Sequence, residues 1–93
     1  MPKYLIERRI PEAGKFTPTD LRDIAAKSNG VLNGMHREGT SVHWVQSYVT
    51  DDAIHCVYVA PNADVVREHA RCGGFPADNV MEVRAVIDPT TGE

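Results

Sequence analysis

SVHWVQSYVTDDAIHCVYVA, residues Ser41–Ala60, is the stretch that decides the fold of this chain. Two runs rich in Val, Tyr, Trp and Ile, Ser41–Thr50 and Ala53–Ala60, flank Asp51-Asp52 and read as two strands joined by a turn. On the N-terminal side Gly39 closes a long helical pattern. Thr17 can cap it, Pro18 suits its first position, and Asp20 places a carboxylate in the first turn. Leu21, Ile24, Ala25, Val31, Leu32 and Met35 recur at three- and four-residue steps, which puts them on one stripe. Asn29-Gly30 is a turn signal inside that stripe. The stripe resumes in phase beyond it, so the helix runs through at a cost of about 1 kcal/mol for Gly30. On the C-terminal side Pro61 ends the strand, Asn62 caps a second helix, and Gly73-Gly74 stops it in a left-handed cap. The outermost elements are strands over Lys3–Ile10, halted by Pro11, and Asn79–Ile87, halted by Asp88-Pro89. Residues 88–93 read as a frayed tail.

The order strand, helix, strand, strand, helix, strand predicts two βαβ crossovers around a hairpin. It is an α+β, ferredoxin-like βαββαβ sandwich: a four-stranded antiparallel sheet with two helices on one face, spanning residues 1–93 as a single domain. Strands one and three are then central. Alternation sorts the third strand into His55, Val57 and Val59 against Ile54, Cys56, Tyr58 and Ala60. The two β-branched residues favour the first set as the helix-covered one, sending Cys56 and Tyr58 to the open face. Leu5, Glu7 and Arg9 of the first strand and Trp44, Gln46 and Tyr48 of the second join them there. Such a face is too apolar for water, and a second copy would cover it, which predicts a homodimer. A slip of one residue in the hairpin would move Cys56 and Tyr58 across the sheet.

Ninety-three residues with 42% hydrophobic and 25% charged are the composition of a small folded domain, marginal enough alone to favour association. Ten basic against thirteen acidic residues leave −3, which argues against nucleic acid and anionic membranes as partners. No apolar run reaches the roughly 20 residues of a membrane helix, and no apolar leader follows Met1. Two cysteines, Cys56 and Cys72, are too few for a disulfide framework, so a cytoplasmic location is expected.

His36, His43, His55 and His69 show no tight ligand spacing, and neither CxxC nor HExxH occurs. Any metal site has to be assembled in three dimensions. Glu68-His69 and His55-Cys56 are the best adjacent donor pairs, although neighbours on a strand point to opposite faces. Imidazole with thiolate or carboxylate suits nickel, copper or zinc rather than magnesium or calcium. The plainer readings are that Cys56 is a small buried hydrophobe and His69 a hydrogen-bonded histidine at the helix–sheet margin. His36 and His43 read as surface residues. No glycine-rich phosphate loop and no nucleophile–base spacing is present, so enzymatic chemistry has no motif to rest on. A rival reading is a pocket between sheet and helices with Glu7, Tyr48, Tyr58 and His69 as its polar groups, taking an organic ligand or moving a proton without a cofactor. Arg8-Arg9 reads as a source of ion pairs for Glu7 or Glu82. Glu7 itself calls for a buried or half-buried pair with Arg9 or Arg84.

The segments WVQSYVTDD (Trp44–Asp52), CVYVAP (Cys56–Pro61), REHA (Arg67–Ala70), GGFP (Gly73–Pro76) and VIDPTT (Val86–Thr91) resemble a family of small bacterial nickel-binding, or nickel-responsive, proteins. The resemblance extends from about Lys3 to Thr91. It implies a ferredoxin-like sandwich, a homodimer, and nickel bound without catalysis. Cys56, Glu68 and His69 fall in the segments that carry it, so the expected metal ligands are His69 and Cys56 with Glu68 in support.

Overall fold

The computed structural model describes all residues, Met1–Glu93. Lys3–Arg9 forms β1, Pro18–Arg37 α1, His43–Val49 β2, Ala53–Val59 β3, Ala63–Gly73 α2 and Asn79–Val83 β4. The sheet is antiparallel in the order β2-β3-β1-β4, with β1 and β3 central as the element order required. This is the α+β, ferredoxin-like arrangement. Both helices pack on one face, where Leu32 and Met35 of α1 and Val66 of α2 share a core with Tyr4, Ile6, Ile54, Cys56 and Tyr58.

The local signals explain the helix limits. Thr17 and Asp20 form a reciprocal capping box, with the Asp20 amide donating to Thr17 Oγ1 and the Thr17 amide to Asp20 Oδ2. The helix runs through Asn29-Gly30, and open space surrounds Gly30. Asn62 Oδ1 accepts from the Val65 amide at the start of α2, and Gly74, at φ 69°, ends it. Gly73 has a different purpose: the Phe75 ring folds back over it, into space that any Cβ would occupy.

β4 is shorter than the Asn79–Ile87 reading. Lys3, the first residue of β1, pairs with Val83, so residues beyond Val83 have no strand to bond. Residues 84–93 are exposed, and Pro89–Gly92 closes as a short 3₁₀ turn capped by Asp88.

The two sides of β3 lie opposite to the alternation reading. Ile54, Cys56, Tyr58 and Ala60 are buried beneath the helices, whereas His55, Val57 and Val59 are half-buried on the open side. Branching at Val57 and Val59 misled, because the central strands' open face also holds half-buried apolar residues. Trp44 too lies on the helix side, opposite Tyr58, while Gln46 pairs with Val57 and Tyr48 with His55 on the open side. The register shift between Trp44 and Gln46 is a bulge, and the extra residue breaks strict alternation along β2. Leu5, Glu7 and Arg9 are on the open face as read.

Candidate functional site

Between the sheet and α1 lies a cleft of about 200 Å³. Its walls are mostly apolar, with Ile10, Leu21, Ile24, Trp44, Val49 and Phe75 among them. Besides Ser28 and Ser47, the polar exception is Arg8, only 4% exposed. β1 alternates Tyr4, Ile6 and Arg8 into the covered face, so an arginine stands where the pattern calls for a hydrophobe. Its guanidinium lies between two rings, 5.9 Å from the centroid of Tyr58 and 5.5 Å from that of Phe75. Nη1 donates to the Pro76 carbonyl and Nε donates to Cys56 Sγ at 3.4 Å. Nη2 is buried with no partner. Arg8 therefore makes no ion pair, contrary to the expectation that it would answer Glu7 or Glu82.

Behind the cleft His69, fully buried on α2, is hydrogen-bonded through Nε2 to Ser28 Oγ of α1 at 3.1 Å. Its ring sits 5.1 Å from Tyr58 and 5.6 Å from Phe75, and Nδ1 has no partner. Burial, then the positive charge of Arg8, push the His69 pKa down to about 4, partly offset by the Ser28 backbone. The imidazole is neutral at pH 7. Burial likewise holds the Tyr58 phenol above its ordinary value, with Cys56 adding to the shift and Ser28 and Arg8 opposing it. Arg8 is thus the one charged side chain on the cleft wall.

The pocket group expected from the sequence is split by the sheet. Tyr58 lines the cleft and His69 touches it from behind, but Glu7 and Tyr48 are on the opposite face. There they form a row, Tyr48 opposite His55 and His55 opposite Glu7. Glu7 lies 3.8 Å from Arg9 Nε in a pair whose arginine is 75% exposed, and Arg84 bonds Glu82 instead. The expected pairing of Glu7 with Arg9 is present, half-buried on the glutamate side, where the side chain is 31% exposed, and open to water on the arginine side. On the helix surface, Glu68 is paired with Arg71 and accepts from Cys72 Sγ at 3.3 Å. His36 and His43 are exposed, their rings 5.6 Å apart, and His36 Nε2 donates to the Val42 carbonyl. Arg8 was missed as a site residue. The available signal was its phase with Tyr4 and Ile6, and its charge argued against reading that phase as burial.

Residues 4–83 match the family described as nickel responsive protein, SCO4226-like. The chain belongs to that family. The crystal structure of SCO4226 from Streptomyces coelicolor A3(2) is similar in fold, with a TM-score of 0.74 at 20% identity over 91% of this chain and 99% of that one. Among curated proteins none matches. The residues of this SCO4226-like chain do not assemble a nickel site within one copy. No three His, Cys, Asp or Glu side chains stand close enough to hold an ion together. Glu68 faces Cys72 and Arg71 at the surface while Cys56 and His69 are buried. Both of those buried donors also lie beside the permanent charge of Arg8, which repels a divalent cation. No helix is long and apolar enough to cross a membrane.

Proposed function

We propose that this protein is a non-catalytic nickel-binding protein that takes the metal between the two copies of a homodimer. Membership of the nickel-responsive family over residues 4–83 is the observation that carries the reading. The open sheet face supports a shared site. His55 and Glu7 are directly opposed there on β3 and β1, about 5 Å apart at Cβ by the geometry of such pairs. One copy offers an imidazole and a carboxylate, and a symmetric second copy doubles that to a four-donor set, chemistry that suits nickel. Half-buried Leu5, Val57 and Val59 and exposed Tyr48 and Met81 supply the apolar surface that a second copy would cover.

Calorimetric titration of tag-free protein with nickel, alongside light scattering, tests this. One metal per two chains is expected, with affinity falling as pH drops because the donors must release protons. His55→Ala should abolish the heat, while Cys56→Ser combined with His69→Ala should leave it. Heat that survives His55→Ala but vanishes with the core pair would return the metal to Cys56, His69 and Glu68 and overturn the shared site.

A further inference from the structure

We propose that the cleft beneath α1 binds a small organic carboxylate, an anion with an apolar body, with Arg8 Nη2 as the donor that recognises its charge. An arginine keeps its proton in any folded environment, so its charge has to be answered or borne. Arg8 has no carboxylate partner in the chain: Glu7 is with Arg9, Asp78 accepts from the Arg9 amide, and Glu82 is with Arg84. Two of its nitrogens are committed to Pro76 and Cys56, which fixes the plane of the guanidinium. The third is unpartnered and shielded from solvent, on a side chain that lines the cleft, so an anion reaches it with a small shift of the cleft wall. A held, desolvated donor of positive charge is the arrangement that strengthens a charge-assisted hydrogen bond to an incoming anion.

The rest of the cleft selects what else the anion carries. Of its three hydroxyls, Ser28 is bonded to His69 and Ser47 accepts from Trp44 Nε1, so Tyr58 is the one left to add a polar contact beside the guanidinium. Its other walls offer mainly hydrocarbon and aromatic surface. A phosphate or sulfate needs more donors than one free guanidinium nitrogen and a few hydroxyls provide, and would leave the apolar walls without contact. A cavity of about 150 Å³ accepts benzene; the cleft, at about 200 Å³, holds a ring or short chain together with its carboxylate. Neutral His69 adds no positive charge, and Lys27, with Nζ 5.3 Å from the Phe75 ring, is not part of the lining, so a monoanion is the charge that answers Arg8. The same electrostatics explain why this cleft is unsuited to nickel.

Phenylacetate is the probe, titrated into chelator-treated protein so that anion binding is read apart from any metal. Its neutral and cationic counterparts, phenylacetamide and phenethylammonium, are titrated in parallel. Saturable binding of one phenylacetate per chain is expected, with a change in Trp44 fluorescence, since Trp44 lines the cleft. The amide should bind at least about tenfold more weakly, the scale of one charge-assisted hydrogen bond, and the amine not at all. Arg8→Met should remove the preference for the acid while circular dichroism stays native, and Arg8→Lys should keep part of it. Should Arg8→Met fail to fold, the three probes on the unaltered protein still decide. Equal affinity for acid and amide, or no saturation by phenylacetate in the millimolar range, would overturn the assignment.

Discussion

Arg8 and Arg9 are neighbours in sequence and opposites in the fold. Arg8 points into the helix-covered face, is 4% exposed and has no acidic partner. Arg9 points to the open face, its side chain is 75% exposed, and it sits near Glu7. The two faces of β1 and β3 differ in the same way. The covered face holds the tightly buried residues Tyr4, Ile6, Ile54, Cys56 and Tyr58, interrupted by one unanswered charge. The open face mixes half-buried Leu5 and Val57 with the polar pair Glu7 and His55. A charge in a wet, mixed surface is ordinary and screened. A charge inside a dry wall is costly, and it is kept where a ligand or a packing need answers it. In the readings proposed above, the covered face recognises a small molecule and the open face meets another copy.

The largest expected effect that could break this contrast lies in β1 itself. Ile6 is fully buried, and Ile6→Ala should cost about 2–5 kcal/mol by chemical denaturation. Leu5→Ala, one residue away on the half-buried side, should cost roughly 1 kcal/mol or less in dilute protein. If copies associate through the open face, the Leu5→Ala loss should grow with protein concentration while the Ile6→Ala loss at dilution stays large. Equal losses at every concentration would erase the distinction between the faces.

The pH response sharpens it next. His69 is held neutral, with a folded pKa of about 4 against an ordinary value of 6.5. Above the unfolded value both states are neutral and the group contributes nothing to pH dependence. As pH falls from 6.5 towards 4 the unfolded chain takes up the proton and the folded one does not, so stability is lost across that window. The gap corresponds to roughly 2–4 kcal/mol, complete once pH has fallen through the folded pKa. Denaturant titrations at about pH 7 and about pH 4 should therefore show a shallower loss for His69→Gln than for the unaltered protein. Identical slopes would mean that the ring behind the cleft is wet.

The smallest effect belongs to the open side. Glu7→Gln in dilute protein should change stability by no more than about 0.5 kcal/mol, because its partner Arg9 is mostly in water. A loss of several kcal/mol would show Glu7 to be as dry as Arg8, and would place both faces in the same class.

Much of this molecule was legible from its residues. The capping signals at Thr17, Pro18, Asp20 and Asn62, the glycines at 39 and 74, and the hairpin about Asp51-Asp52 are local chemistry. They place the elements and, through their order, the strand order β2-β3-β1-β4. The open-face side of β1 was legible too, since simple alternation holds along Lys3–Arg9. Three things were decided only in three dimensions. The bulge between Trp44 and Gln46 turns Trp44 to the helix side, and a bulge depends on how the partner strand pairs. Which side of β3 is covered depends on where the helices land, and Val, Cys and Tyr are apolar enough to serve on either side. The burial of Arg8 was decided there as well. Its phase along β1 puts it inward, but only the rings of Tyr58 and Phe75, the carbonyl of Pro76 and the sulfur of Cys56 make that position habitable for a guanidinium. Those groups come from distant parts of the chain, and Phe75 reaches its place because Gly73 has no side chain to exclude it. Local propensity is written residue by residue, whereas the environment of a buried charge is set by contacts that exist only once the sheet and helices have closed together.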